Sequence, residues 1–487
     1  MLFPTTEFAV FFLVVFTGSW LLRPHATAWR WGMLAASLFF YTNPLSPGHQ
    51  DWKFALVLTG SAVGNWLLAQ AVWSSLGEGR ARTVRSTWLV RFGVAANLGV
   101  LGYFKYTNFF VSFWENRLED LGISVSHTTL NVVLPIAISF FTFQALSYVL
   151  DVGRGELAPV KLLDFAVYLT FFPHLVAGPI VRVGEFEPQI NQRADPRFVE
   201  SAEAFQLIFR GLFKKVVVSS YLATAVVDPV FANPDLYGRG ALAVAMYAYA
   251  IQIYADFSGY TDMAIGLALL LGIRFPQNFD APYRALSLQD FWRRWHMTLS
   301  RWLRDYLYIP LGGSRGTRGA TFRNLFLTML LGGLWHGANW TFVIWGALHG
   351  GFLIAERVVK ERWARREPLG LPPLLVKVLQ WWLTFNMVSL AWVFFRAPDF
   401  DVAWTFLTRL VVGGDVNQVL THSMLGLVAV IALAVASQFV PPRVPARVTA
   451  VFATTPPAFQ MACLAMGMVI VDALGPEGIA PFIYFQF

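Results

Sequence analysis

Apolar runs about the length of a bilayer crossing recur along the whole chain and leave little room for any other kind of structure. A helix needs about 20 apolar residues to cross the hydrocarbon core. Runs at 6–22, 31–43, 54–75, 90–113, 130–150, 162–181, 203–227, 240–272, 322–358, 375–396, 423–440 and 456–474 reach or approach that length. Those at 240–272 and 322–358 are long enough to hold more than one segment, so the expectation is about 11 to 13 transmembrane or re-entrant helices. With 56% of 487 residues hydrophobic and 14% charged, a soluble globular protein is excluded. No internal repeat or low-complexity tract divides the chain. The expected fold class is therefore all-α, a polytopic integral membrane protein treated as one domain, 1–487.

The net charge of +8 does not point to nucleic acid, because its Arg and Lys residues fall in short connecting loops rather than on one basic module. The lipid bilayer is the expected partner. Arg23 and Arg30 precede the second run, Arg80, Arg82, Arg85 and Arg91 the fourth, and Arg154 with Lys161 follow the fifth. The alternate loops at 44–52 and 115–129 carry few. The positive-inside rule then places these basic loops in the cytoplasm and the N-terminus outside. The first run lacks a basic leader and a small-residue cleavage site, and is read as retained. Cys463 stands alone, which excludes an intramolecular disulfide and a cysteine-based zinc site.

Three stretches mix polar residues with Gly or Pro at membrane depth: "FFPHLVAGPIVR" at 171–182, "YADFSGYTDMAIG" at 254–266, and "LQDFWRRWHMTLSRWLRDYLYIP" at 288–310. Irregular backbone is tolerated in a membrane only where protein or water surrounds it, so these pieces are expected to border a site inside the bundle. Read as one helix at about 100° per residue, 288–310 gathers Arg293, Arg304, Arg301 and Arg294 within about 100° of arc, opposite Phe291, Trp292, Trp295, Leu299, Trp302 and Leu303. Such a helix would lie flat in the interface. It is either an anchor alone, or its Arg stripe, with Arg293 and Arg294 at its start, meets the phosphates of a cytosolic donor. His296 borders the apolar face and would point toward the bundle.

Of eight histidines, His25, His49, His127 and His422 lie in polar loops and read as solvated surface. His174, between Pro173 and Pro179, suits either bonding to freed backbone carbonyls or chemistry. His349, followed by Gly350 and Gly351, reads as packing. His336 is different. Expected at least a turn inside a lipid-length segment, it has Gly332, Gly333 and Gly337 to admit a close approach, and Trp335 and Trp340 to wall the space. An ionisable residue at that depth is a functional-site hypothesis by default.

Metal binding is disfavoured, since no HxxxH or HExxH spacing occurs. No G-x-S-x-G, P-loop or GxGxxG is present either. The remaining use for a lone imidazole is general-base catalysis of acyl transfer, taking the proton from an attacking hydroxyl. Asn339 or the His296 ring would face the developing oxyanion. Asp256 and Asp262 interrupt an apolar run, and either pair with Arg or line the cavity, because a lone buried carboxylate is costly. Ser258, Tyr260 and Thr261 read as polar lining.

With these residues in view, the chain resembles the membrane-bound O-acyltransferases, and among them the bacterial members that O-acetylate exported polysaccharides such as alginate. The resemblance covers nearly the whole chain and is densest in "LGYFKYTNFF" at 101–110, "FPHLVAGPIVR" at 172–182, residues 255–313, residues 323–350 and the closing "PFIYFQF". It implies a helical bundle with two funnels meeting at a tunnel, with His336 as the catalytic histidine and His296 on the cytosolic approach. It further implies an acetyl group arriving on a thioester donor, acetyl-CoA or an acyl carrier, with no permanently bound cofactor. The acetyl group would leave for a polysaccharide through a periplasmic acetyltransferase partner, placing the chain in the bacterial inner membrane. Two other readings compete: D-alanyl transfer to teichoic acid, as in related members, and a non-enzymatic transporter, which predicts paired broken helices in two repeated halves.

Overall fold

A computed structural model describes residues 1, 3–43, 52–123, 132–192, 194–363, 370–413, 422–475 and 483. His49, His127, residues 44–51 of the loop at 44–52, residues 124–129 of the loop at 115–129, and the closing run apart from Ile483 lie outside the described residues. Among the described residues every regular element is a helix. This follows from the apolar composition, because a helix satisfies its backbone polar groups within one segment where no water can. Five of these helices are long and apolar enough to cross a membrane: Trp52–Ser74, Ser201–Ala232, Trp340–Arg362, Pro373–Arg396 and Pro457–Leu474. Thr6–Leu22, Ile138–Gly153 and Met424–Ser437 are apolar but shorter.

The chain packs as two compact units, one formed by Met1–Ser201 with Ala264–Pro276, the other by Ala202–Met263 with Gln277–Phe487. In the first, Thr6–Leu22 and Ala26–Thr42 pack through a phenylalanine cluster in which Phe172 contacts Phe11 at 5.3 Å and Phe40 at 5.5 Å between ring centroids. Trp52–Ser74 and Val84–Asp120 are tied by a reciprocal amide pair, Asn65 to Asn97 at 3.1 Å and Asn97 to Asn65 at 2.7 Å. Val84–Asp120 runs on past the expected 90–113 span. Its start is set by a capping box, Thr83 Oγ1 accepting from Ser86 N–H at 3.0 Å and Ser86 Oγ from Thr83 N–H at 2.9 Å. Arg82 Nε donates to the Gly153 carbonyl at 3.0 Å, beside Arg154. Two of the basic loops assigned to one side therefore meet. The third basic group also pairs within this unit, Arg30 with Asp164.

The 162–181 run breaks as expected, into Leu162–Thr170 and the short Phe172–Leu175. The 254–266 stretch does not break. It lies inside one uninterrupted helix, Arg239–Leu270, of 32 residues, and this corrects both the expected interruption and the expected second segment in 240–272. The reason is that Gly259 serves contact rather than bending. A Cβ built on it would lie 2.8 Å from the Gly211 carbonyl oxygen, and one on Gly211 would lie 2.4 Å from that of Gly259. The two backbones meet across helices at glycine. Around this contact Ser201–Leu212 passes into π-helical turns at Phe213–Ser219 and Ala223–Val227.

The 322–358 run does hold two helices, Arg318–His336 and Trp340–Trp363. They form a tight hairpin in which Gly333 approaches the Phe342 carbonyl and Gly346, so that an added Cβ would stand 2.3 Å from the one and 3.0 Å from the other. Gly346 in turn faces the Met329 carbonyl, 2.6 Å from where its Cβ would be. Of the glycines expected to admit a close approach, Gly333 admits a second backbone, whereas Gly332 faces the Leu303 side chain and Gly337 the Phe342 ring.

Candidate active site

His336 is the last residue of the Arg318–His336 helix, followed by Gly337 in extended backbone. His336 lies within the 322–358 apolar run, as expected, but at the point where that run divides, at Gly337–Asn339, and the chain reverses. The reversal is secured by Asn339. Its Oδ1 accepts from Thr341 N–H at 3.1 Å, and its Nδ2 donates to the Pro398 carbonyl at 2.6 Å. The Asn339 amide thus caps the next helix and anchors the chain just past the end of Pro373–Arg396.

The His336 ring is 4% exposed and is walled by aromatic side chains. Trp335 lies 5.0 Å away, Trp345 5.1 Å and Phe395 5.1 Å, all edge to face. Trp340, expected as a wall, is 51% exposed. Trp345 walls the ring for a geometric reason: helical side chains lean toward the helix N-terminus, so Trp345, a turn further along, reaches back to the reversal.

The 288–310 segment is not one amphipathic helix. It forms Leu288–Arg294 and Met297–Leu303, interrupted by extended Trp295 and by His296 at φ 42°, ψ 55°, and continues as a π-helical turn at Arg304–Tyr308. The left-handed conformation costs a non-glycine residue roughly 1–3 kcal/mol and persists where surroundings impose it, most often at functional sites. The expected single Arg stripe is broken with it. Arg293 is exposed. Arg294 bonds Asp290 at 2.9 Å and Asp280 at 2.8 Å, and Arg304 bonds Asp305 at 2.7 Å. Ser287 caps the first short helix at Asp290 N–H, and Glu356 accepts from Leu288 N–H at 2.6 Å.

His296 is fully buried, and among the described residues neither ring nitrogen has a hydrogen-bond partner. Its ring packs edge-on against Phe257 at 4.7 Å and lies 6.3 Å from Trp335. The structure thus brings His296 and His336 to a single indole. His349 joins the same assembly, 4.6 Å from Trp345 and 5.2 Å from Trp292 between centroids. Trp292 Nε1 donates to its Nδ1 at 3.3 Å, which leaves the ring proton on Nε2. Trp392 and Phe395 complete the shell, Trp392 stacking on Trp345 at 5.6 Å. Sequence reasoning missed Trp345, Trp392 and Phe395. The available signal was the spacing of Trp345 and His349, four apart on one helix face.

The acidic residues belong to ion pairs. Asp262 takes a bidentate contact from Arg210 at 2.8 and 2.7 Å and a third from Lys214 at 2.8 Å. Asp256 pairs with buried Lys215, accepts from Ser219 Oγ at 3.3 Å, and accepts from Ile483 N–H at 2.9 Å. Lys214 also donates to Ser258 at 3.2 Å. Of the remaining histidines, His174 is buried with Nε2 at 2.8 Å from the Tyr168 carbonyl, the backbone-bonding role. His25 is exposed, and His422 is exposed and packs on Tyr221. Among the described residues no three His, Cys, Asp or Glu side chains converge in a way that would hold a metal ion.

What this arrangement offers chemically is a set of buried imidazoles held apart by indole rings, on backbone made irregular by a helix reversal and a left-handed residue. Comparison with known proteins covers the same residues. The family model described as MBOAT, membrane-bound O-acyltransferase family, matches residues 123–396. The probable alginate O-acetylase AlgI of Azotobacter vinelandii is 41% identical over 420 residues, 85% of this chain and 79% of that protein. The peptidoglycan O-acetyltransferase of Helicobacter pylori is 37% identical over 449 residues, 84% of this chain and 80% of that protein. The teichoic acid D-alanyltransferase of Streptococcus thermophilus is 29% identical over 296 residues, 55% of this chain and 70% of that protein.

Proposed function

Since the chain belongs to the membrane-bound O-acyltransferase family and is an O-acyltransferase, we propose that it takes an acetyl group from a cytosolic thioester, acetyl-CoA or an acyl carrier, and passes it across the bacterial inner membrane. The acceptor is an exported polysaccharide such as alginate, reached through a periplasmic acetyltransferase partner. In this reading His336 is the general base. It removes the proton of an attacking hydroxyl as the oxygen bonds the thioester carbonyl carbon; the C–S bond then breaks and the thiol leaves carrying the proton. A positioned base of this kind contributes about 10² to 10⁴ in rate.

The observation that carries the reading is the enclosure of His336 by Trp335, Trp345 and Phe395 at the helix reversal. Aromatic walls exclude bulk water, which protects a thioester from hydrolysis and strengthens the electrostatics of the transfer. Acetyl as the cargo, rather than D-alanyl, is favoured by the relatives named for O-acetyl transfer, whose similarity spans far more of the chain than that of the D-alanyltransferase.

The test is His336→Ala, expressed in a host whose secreted glycans are assayed for acetate released by mild base. The expected outcome is normal abundance in the membrane with acetate reduced to the level of cells lacking the protein. Near-normal acetate from that variant would remove His336 from the reaction.

A further inference from the structure

The left-handed turn at His296 is held from outside its own segment. His296 occupies the capping position of the Met297–Leu303 helix, yet its ring makes no capping bond. The first N–H groups of a helix need an acceptor, and Asn278, 18 residues earlier in the chain, supplies it. The Asn278 carbonyl accepts from Met297 N–H at 2.9 Å. Its Oδ1 accepts from Thr298 N–H at 3.1 Å and from Thr298 Oγ1–H at 2.9 Å. On the other side of the break, Asp280 N–H donates to the Arg294 carbonyl at 2.9 Å. The backbone of Trp295 and His296 is therefore clamped at both ends by the Asn278–Asp280 strip. Asn278 is fully buried, and among the described residues its Nδ2 has no hydrogen-bond partner while its Oδ1 is held by Thr298.

We propose that Asn278 is a positioning residue for the acyl transfer: by capping the Met297–Leu303 helix from a distance it imposes the left-handed backbone at His296 and so delivers that ring to Phe257 and Trp335, beside His336. Without the clamp the segment is free to relax toward the continuous helix that its periodicity favours, which turns the His296 ring away from Trp335. The inference rests on the reading, drawn from the sequence, that the His296 ring takes part in transfer by facing the developing oxyanion or lining the cytosolic approach.

A double-mutant cycle separates the two. Asn278→Ala, Asn278→Asp, His296→Ala and the Asn278→Ala/His296→Ala pair are reconstituted in lipid nanodiscs and assayed with acetyl-CoA, with kcat, KM and thermal midpoint measured for each. Residues that act through one another are non-additive in such a cycle. The expected result is that Asn278→Ala lowers kcat to the His296→Ala level, that adding it to His296→Ala lowers kcat no further, and that Asn278→Asp, which keeps both accepted bonds, restores kcat to within a few-fold of the unmodified protein. If Asn278→Ala fails to fold, Thr298→Val, which removes the hydroxyl bond to Oδ1, takes its place in the same cycle. Normal kcat in Asn278→Ala, an equal fold-loss with and without His296, or an Asn278→Asp as inactive as Asn278→Ala overturns the clamp while leaving His296 in the reaction. Wild-type kcat in His296→Ala overturns the reading it rests on, and the clamp with it.

Discussion

His336 meets the edge of Trp345 with 5.1 Å between ring centroids and 84° between ring planes. Trp345 is 1% exposed and also packs on His349 and Trp392, so it spaces the imidazoles as well as filling the core. Trp345→Ala is expected to cost about 3–5 kcal/mol, as large aromatic truncations in cores do, with loss of both membrane abundance and transfer. Trp345→Phe should keep the fold and lower transfer. A Phe variant with unchanged transfer would reduce Trp345 to filler.

Gly333 and Gly351 make a matched pair on the hairpin. A Cβ at Gly333 would lie 2.3 Å from the backbone carbonyl of Phe342, whereas nothing lies within 4 Å of one at Gly351. Gly333→Ala should therefore force the two helices apart, at about 1–3 kcal/mol or more. Gly351→Ala should be neutral or stabilising by about 0.5–1 kcal/mol through helix propensity. The thermal midpoint of the detergent-solubilised protein should fall in Gly333→Ala and hold or rise in Gly351→Ala, and equal shifts would contradict the close backbone contact.

Lys215 and Asp256 are both buried, with side chains 2% and 4% exposed. Removing one partner of such a pair strands the other charge at a cost of about 3–5 kcal/mol, whereas replacing both by apolar groups of similar volume is often tolerated. Asp256→Leu alone should sharply reduce folded protein, and Lys215→Met with Asp256→Leu should recover much of it, less whatever the bond to Ile483 N–H contributes. Size-exclusion profiles of the extracted protein read this directly. Equal yields from the single and double variants would show that the pair is not the reason for the loss.

His174 tests the distinction between a buried histidine that holds backbone and one that does chemistry. Its Nε2 donates to the Tyr168 carbonyl at 2.8 Å across the break at Phe171. Losing a buried hydrogen bond of this kind costs about 1–3 kcal/mol. His174→Leu should therefore lower the thermal midpoint, and His174→Gln, which can donate to the same carbonyl, should recover part of it. Transfer per folded molecule is expected to stay near normal in both. A collapse of transfer at full stability would assign His174 to the reaction instead.

The apolar runs were enough to establish an all-helical membrane protein, because the length of an uninterrupted apolar stretch is a local property that the bilayer thickness converts directly into structure. Local residues also marked His336 and His296 as the histidines to watch, and the motifs around them carried the family resemblance.

What sequence could not decide was where helices break and which rings meet. Gly259, which looks like an interruption, is a contact point because Gly211 approaches it from another helix. Residues 288–310 carry an amphipathic period that favours one helix, but bonds from Asn278 and Asp280 split it. His349 stands 13 residues from His336 with no helical relation to it, and shares Trp345 with it only because the chain reverses at Gly337–Asn339. Each of these outcomes depends on a partner distant in the chain, and periodicity reports only neighbours a turn or two away. Tertiary packing alone therefore decided that one indole, Trp335, is bordered by both candidate imidazoles.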